Sequence, residues 1–185
     1  EIPGCIVTAS YEILPQFREY ERTSTVAITS YIAPVMVRYI ESLHRQLQDR
    51  GFGGEIFITQ SNGGVIPMDA LRKEVARTLL SGPAAGVTGA VFMAKQVGIE
   101  DIITLDIGGT SADVCLINKG NPLVSTTNKI DGNAIAVPML DIVTVGAGGG
   151  SIAWVDGGGM LQVGPQSAGA DPGPACYCRG GTKPT

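Results

Sequence analysis

Chemistry that depends on imidazole has little to work with in this chain, because His44 is its only histidine and falls inside an amphipathic helical pattern. A Ser-His-Asp triad would have to use that one residue, and no nucleophile elbow accompanies it. A multi-histidine hydrolytic zinc site cannot be built. Cys5, Cys115, Cys176 and Cys178 form no C-x-x-C pair, which makes a poor zinc set. They suit small core residues in a reduced, cytoplasmic protein. No glycine run is closed by Gly-Lys-Ser/Thr, so there is no Walker loop. No apolar run reaches the length of a membrane span, and no signal-peptide pattern is present. A formal net charge of -4 gives no basic footprint for nucleic acid or an anionic membrane. Any hydrolysis here points to phosphate-based chemistry.

What the chain does have is glycine: 26 of its 185 residues, about twice the usual share. These glycines cluster at 63–64, 108–109, 146–150, 157–159 and 180–181 instead of recurring with a period, which fits loops and excludes collagen. The hydrophobic fraction of 44% against 16% charged residues is that of a globular protein with a real core. A first residue of Glu, followed almost at once by a strand-like stretch, points to a piece of a longer protein.

Hydrophobic periodicity divides the chain in two. Residues 4–10 read as a short buried strand, and Ile32, Val35, Met36, Tyr39, Ile40, Leu43 and Leu47 mark a helix that Ser30 can cap and Gly51 can end. Residues 55–60 read as a second strand and 81–98 as a helix, with Pro83 in its first turn and Gly98 as its stop. Strand, helix, strand, helix implies a mostly parallel sheet with crossover helices. The small residues Ala85, Gly86, Gly89, Ala90 and Ala94 on one side of the second helix permit close approach of another backbone. Beyond a boundary near residue 99 the pattern becomes β-rich. "DIITLDI" and "ADVCLIN" should pair antiparallel, 133–145 is extended, and "SIAWV" and "MLQVG" flank "DGGG" as a hairpin.

The stretch "LDIGGTSADV" carries the strongest chemical signal. Its glycines allow successive backbone N–H groups to converge on an anion, and Thr110 and Ser111 add hydroxyls. Asp106 can hold a divalent cation that neutralises a phosphate, and Asp113 is a second candidate acid. A plain hairpin turn, with Asp106 bonded to backbone amides, fits the local pattern equally well. "VGAGGGS" is not a dinucleotide fingerprint, because Ser151 stands where the third glycine is needed and no helix pattern follows. It remains either a glycine loop able to approach a nucleotide or a bend between strands. Asn62 and Gly63 sit in a turn at a strand end, where α/β sheets bind ligands. Glu21 and Arg22 lie in "REYERTST", a polar stretch that reads as a solvated loop but can also reach a substrate.

Taken together, "LPQFREYERTST", "ITQSNGG", "RTLLSGPAAGV", "LDIGGTSADV", "VGAGGGSIAWVD" and "VGPQSAGADPGPACY" resemble the hydantoinase A / 5-oxoprolinase family, which includes the β-type subunits of ATP-dependent acetone carboxylases. The resemblance implies an α/β fold of the ribonuclease-H-like type shared by actin, Hsp70 and sugar kinases. Residues 1–98 would be the end of a first lobe and 99–185 the start of a second, a partial two-lobe fragment. It also implies ATP and Mg²⁺ as cofactors, a small cyclic amide as substrate, and a hydantoinase B-type partner subunit or domain. Phosphorylation of a lactam or imide oxygen would create a leaving group for water to displace. On this resemblance Gly108, Gly109, Thr110 and Ser111 would contact phosphates, with Asp106 and Asp113 managing Mg²⁺ or the attacking water. Gly146, Gly148, Gly149, Gly150 and Ser151 would line the cleft. Val143 departs from the family pattern, which often has histidine at that position, and Cys178 departs from C-Y-G-R-G-G. Two other readings stay open: a carboxylase subunit, and a non-enzymatic nucleotide-binding module that remodels a partner. The isolated fragment is expected to be inactive or nearly so.

Overall fold

The computed structural model describes residues 7–130 and 132–185. In chain order its elements are helices α1 (Ser10–Ile13) and α2 (Glu19–Asp49), strands β1 (Phe57–Thr59) and β2 (Val65–Pro67), and helices α3 (Leu71–Glu74) and α4 (Ser81–Gln96). Strands β3 (Ile102–Ile107), β4 (Ala112–Asn118), β5 (Asn121–Pro122), β6 (Val124–Ser125), β7 (Asn128–Ile130) and β8 (Asn133–Ile135) follow. The last are β9 (Met139–Leu140), β10 (Ile142–Val145), β11 (Ser151–Val155) and β12 (Leu161–Ser167). The residues form two units, one from the chain up to Gly89 with Leu123–Asp141, the other from Ala90–Pro122 with Ile142–Thr185.

The first unit is organised along α2. Thr25, Thr29, Ala33 and Ile40 are its buried positions, spaced as one helical stripe. Two threonines belong to this stripe because their hydroxyls are satisfied within the helix: Thr25 Oγ1 donates to the Glu21 carbonyl at 2.6 Å and Thr29 Oγ1 to the Thr25 carbonyl at 2.7 Å. The same Thr25 oxygen accepts the Ala136 amide at 3.0 Å, and Ser24 Oγ donates to the Ala134 carbonyl at 2.6 Å. Hydroxyls of the helix thereby fasten the β8 segment. Two small cores flank this seam: Ala76, Ile135, Val137 and Met139 with Ile28, and Ile40, Ile66 and Leu71 with Met36.

Three sequence expectations change here. "REYERTST" is helical from Glu19 onward, so α2 begins more than ten residues before the periodicity at Ile32 suggested. Its buried hydroxyls did not register as a hydrophobic stripe. Of the strand read at 4–10, residues 4–6 lie outside the described residues, 7–9 are irregular, and Ser10 opens α1. The expected parallel sheet is replaced by antiparallel pairing at every strand pair among the described residues. β1 and β2 form a hairpin around Ser61–Gly64 because Gly63, at φ +81°, takes a left-handed turn that a Cβ would strain.

Helix α4 ends close to expectation. The Gly98 amide donates to the Lys95 carbonyl and the Ile99 amide to the Ala94 carbonyl, with Gly98 left-handed. Its small face behaves differently from the reading, since a Cβ added at Gly86 or Gly89 would meet nothing within 4 Å among the described residues. The close approach is made instead by Thr88, whose hydroxyl donates to the Gly63 carbonyl at 3.3 Å.

The second unit holds β3, β4 and β10 side by side, with β4 central. The register places Ile103 opposite Leu116, Leu105 opposite Val114, and Val143 opposite Val114, so these side chains share one sheet face. That face is apolar and largely exposed, with Ile103, Leu105, Ile107, Leu116, Val143 and Val145 all solvent-accessible. The opposite face carries buried Cys115 and Ile117 and, at the loop end, Asp106, Asp113 and Thr144. β11 and β12 form the expected hairpin, closed by Asp156 and by Trp154 Nε1 donating to the Gly164 carbonyl at 2.8 Å. Among the described residues no helix is long and apolar enough to cross a membrane.

Candidate functional site

The β3–β4 connection is the four-residue loop Gly108–Ser111. It is closed at its base by the Gly108 amide donating to the Ser111 carbonyl at 2.9 Å. The Gly146–Gly150 loop packs directly on it: the Gly149 amide donates to the Gly108 carbonyl at 2.9 Å and the Gly150 amide to the Gly109 carbonyl at 2.7 Å. Carbonyl oxygens of the first loop are therefore consumed by the second. The amides of Gly109, Thr110 and Ser111 donate to no partner among the described residues. A loop with its carbonyls tied back and its amides free is electropositive, which is the arrangement that binds anions.

The contact requires glycine for a steric reason. A Cβ on Gly148 would lie 2.7 Å from the Gly108 oxygen and 2.8 Å from the Ser111 nitrogen, and one on Gly150 would lie 2.8 Å from the Gly109 oxygen. Ser151 secures the second loop from beneath. It is buried, its hydroxyl accepts the Gly148 amide at 2.8 Å, and its own amide donates to the Gly148 carbonyl at 2.9 Å. Gly148, Gly150 and Ser151 thus position the hairpin loop, while Gly146 is open to any Cβ.

Beside the loop, Asp106 and Asp113 are direct cross-strand partners, and Thr144 is the partner of Asp113 on the other side. Thr144 Oγ1 donates to Asp113 Oδ1 at 2.6 Å, which fixes that carboxylate. Sequence reasoning missed Thr144, although its place three residues into β10 could have been found once β10 was paired with β4. Residues 106–113 and 146–151 are brought together in one unit. Among the described residues no group of three or more His, Cys, Asp or Glu side chains is arranged to hold a metal unaided. Two carboxylates beside free amides fit a cation that arrives with a phosphate, whose oxygens complete its ligand set.

The four substrate candidates lie in the first unit, and they do not form one cluster. Asn62 Oδ1 accepts the Gly64 amide at 2.9 Å, so it shapes the turn, and Gly63 is held against Thr88. Their neighbour Ser61 is the hub of this region: its hydroxyl donates to the Arg77 carbonyl at 2.7 Å and also contacts the Leu79 carbonyl, while its own carbonyl accepts the Leu140 amide. Arg22 Nη1 donates to the Gln16 carbonyl at 3.1 Å, bracing the chain before α2. Glu21 lines a cavity of about 390 Å³ together with Arg18 and Arg77.

Residues 22–185 match the model of the hydantoinase/oxoprolinase family. The chain belongs to that family. As a hydantoinase/oxoprolinase member it is 44% identical over 184 residues to the caprolactamase subunit alpha of Pseudomonas jessenii, covering 100% of this chain and 26% of that protein. The crystal structure of an ATP-dependent caprolactamase from Pseudomonas jessenii superposes with a TM-score of 0.82 at 44% identity, covering 97% of this chain and 26% of that one. A nucleotide-free acetone carboxylase structure matches with a TM-score of 0.77 at 31% identity, over 96% of this chain and 25% of that one. This hydantoinase/oxoprolinase chain therefore spans about a quarter of the length of these relatives and shares their mixed α/β fold.

Proposed function

We propose that the chain is the phosphate-holding portion of an ATP-dependent enzyme that opens cyclic amides. The observation that carries this reading is the Gly108–Ser111 loop, whose carbonyls are tied to the Gly146–Gly150 loop while three amides and two hydroxyls stay available beside the Asp106–Asp113 pair. Gly109, Thr110 and Ser111 would hold phosphate oxygens. Asp106 would take a Mg²⁺ ion bound to them, with Asp113 held alongside it by Thr144. When bound, ATP supplies a phosphoryl group that turns an unreactive amide oxygen into a leaving group. The residues of this chain orient that group and neutralise its charge.

In this proposal residues 1–98 close one lobe of an actin-like fold and 99–185 open the other, so the complete nucleotide site needs more of the parent protein. A hydantoinase B-type partner subunit and a cytoplasmic setting belong to the same proposal. The likeness to acetone carboxylase favours a second reading, a subunit of an ATP-dependent carboxylase. The deciding experiment measures phosphate release by the full-length protein with its partner subunit. Release stimulated by lactams, hydantoins or 5-oxoproline supports the hydrolase, and release stimulated by small ketones with bicarbonate supports the carboxylase. Release indifferent to all of them rejects both enzymes and leaves a nucleotide-driven remodelling module.

A further inference from the structure

Two exposed thiols stand in the second unit beyond β12. Cys176 and Cys178 flank Tyr177 and are both free. The turn that carries them is pinned at several points. The Tyr177 amide donates to the Pro174 carbonyl at 3.0 Å and the Cys178 amide to the Ala175 carbonyl at 3.2 Å. The Tyr177 ring packs on Gly173, where a Cβ would lie 2.8 Å from it, and Gly181 passes so close to the Gly173 carbonyl that a Cβ there would overlap it. The Arg179 guanidinium lies 6.0 Å from the centre of the same ring.

Cys178 ends this turn in the left-handed conformation, at φ +55° and ψ +31°, where a side chain carries a steric cost that glycine avoids. Its sulfur turns back along the chain and stands 3.8 Å from the Cys176 carbonyl oxygen. Cys176 carries its own thiol on that residue, exposed and free to rotate about Cα–Cβ, so one small ion lies within reach of both sulfurs. A disulfide would have to close through a single intervening residue, against the preferred dihedral of the S–S bond. An ion between the sulfurs lengthens the span and removes that demand.

We propose that Cys176 and Cys178 form a two-thiolate site for a cuprous ion. The choice of ion follows from the ligand set. Among the described residues no group of three or more His, Cys, Asp or Glu side chains could hold a metal, so these two thiols have no third or fourth partner. Zinc sites use three or four protein ligands, and magnesium and calcium take oxygen. Cuprous ion is soft, selects thiolates, and is satisfied by two of them in a near-linear arrangement. On binding, each thiol gives up its proton and the copper stays cuprous. The resulting bis-thiolate carries a single net negative charge, with the cationic Arg179 next to Cys178 in the chain to offset it. This site stands apart from the proposed function and does not depend on it.

The test is an anaerobic titration of the reduced full-length protein with cuprous ion, in competition with a chromogenic cuprous chelator. Cys176→Ser, Cys178→Ser and Cys178→Gly are titrated alongside. The wild type is expected to take up one more ion per chain than any variant, or to hold that ion about a hundredfold more tightly, the gain that linking two ligands brings. Cys178→Gly relieves the left-handed backbone, so its loss of the ion reports the missing ligand and not a damaged fold. Copper-edge X-ray absorption on the one-ion complex should show two sulfur neighbours. Equal uptake and affinity in wild type and variants overturns the proposal. So does a coordination sphere other than two sulfurs, or a chain that ends the titration two hydrogens lighter and free of copper, which would mark a disulfide instead.

Discussion

Asp106 and Asp113 stand directly opposite each other on β3 and β4, and the next residue in the row, Thr144, contributes a hydroxyl and no positive charge. Two like charges in register cost a sheet about 0.2–1 kcal/mol. On the proposed function, this pair beside a loop of free amides would meet a ligand that brings its own cation. Asp106→Asn should leave the fold as stable or slightly more stable in thermal unfolding, and in the full-length protein should weaken Mg²⁺-dependent ATP binding by tenfold or more. In the full-length protein it should abolish substrate-stimulated phosphate release. Unchanged Mg²⁺-dependent affinity would reject the cation role.

The two glycine loops give a steric test with an internal control. Gly148→Ala and Gly150→Ala place a methyl within 2.8 Å of backbone atoms of the hairpin loop or closer, whereas Gly146→Ala meets nothing within 4 Å. Overpacking of this kind costs about 1–3 kcal/mol. The first two variants should lower the melting temperature and broaden the Gly109 and Thr110 amide signals, and the third should do neither. Equal behaviour of all three would mean that the loops are not interlocked.

Thr25 is expected to be the most sensitive polar position of the first unit. Thr25→Val keeps the shape but leaves the Glu21 carbonyl without its hydroxyl donor and the Ala136 amide without its acceptor. The Glu21 carbonyl keeps its helical backbone donor, so the cost is that of stranding the part-buried Ala136 amide, about 1–3 kcal/mol. Chemical denaturation should show a loss in that range, and amide exchange at Ala136 should rise. A loss below that range would show the hydroxyl to be incidental.

The β11–β12 turn carries a pH signature. Hydrogen bonds from the Met160 amide, the Gln162 side chain and the Gly158 amide hold the Asp156 carboxyl below its ordinary value of 3.8. A depressed carboxylate stabilises the turn at full strength above that ordinary value, and the contribution is lost as pH falls through the lower folded value. An NMR titration of the Met160 and Gly158 amides should therefore show a midpoint below 3.8, and Gln162→Ala should move it upward. A midpoint at or above 3.8 would contradict the hydrogen bonds described.

The hairpins were legible because glycine turns and alternating strands are local signals, and β3–β4 and β11–β12 follow from them directly. The start of α2 was not, because Thr25 and Thr29 are polar by composition and yet buried, and the partners that Ser24 and Thr25 hold lie more than a hundred residues away. The parallel sheet was inferred from the order of elements, an argument that assumes each helix is a crossover. The "SNGG" turn folds β2 back on β1 before any helix can intervene. At the site, the glycine pattern identified the two loops but could not show that one holds the other. Their contact is made by backbone atoms, which carry no mark of residue type except the absence of a Cβ. The same limit hid the Arg18–Glu21–Arg77 cavity, whose walls come from four separate stretches of chain.

The hydrogen bonds from Ser24 and Thr25 to residues 134–136 span 110 and 111 positions, and the first unit is discontinuous in the chain. Its order of assembly follows from that. The β3–β4 hairpin emerges complete and closes only a short loop, so it can form while the β8 segment that fastens α2 has yet to be synthesised. Closing a loop of that length costs on the order of 4 kcal/mol in chain entropy, from the logarithmic dependence on its length. A single proteolytic cut between Ala90 and Pro122 would convert this internal closure into the meeting of two separate chains, and the first unit's hold on residues 123–141 would then depend on protein concentration.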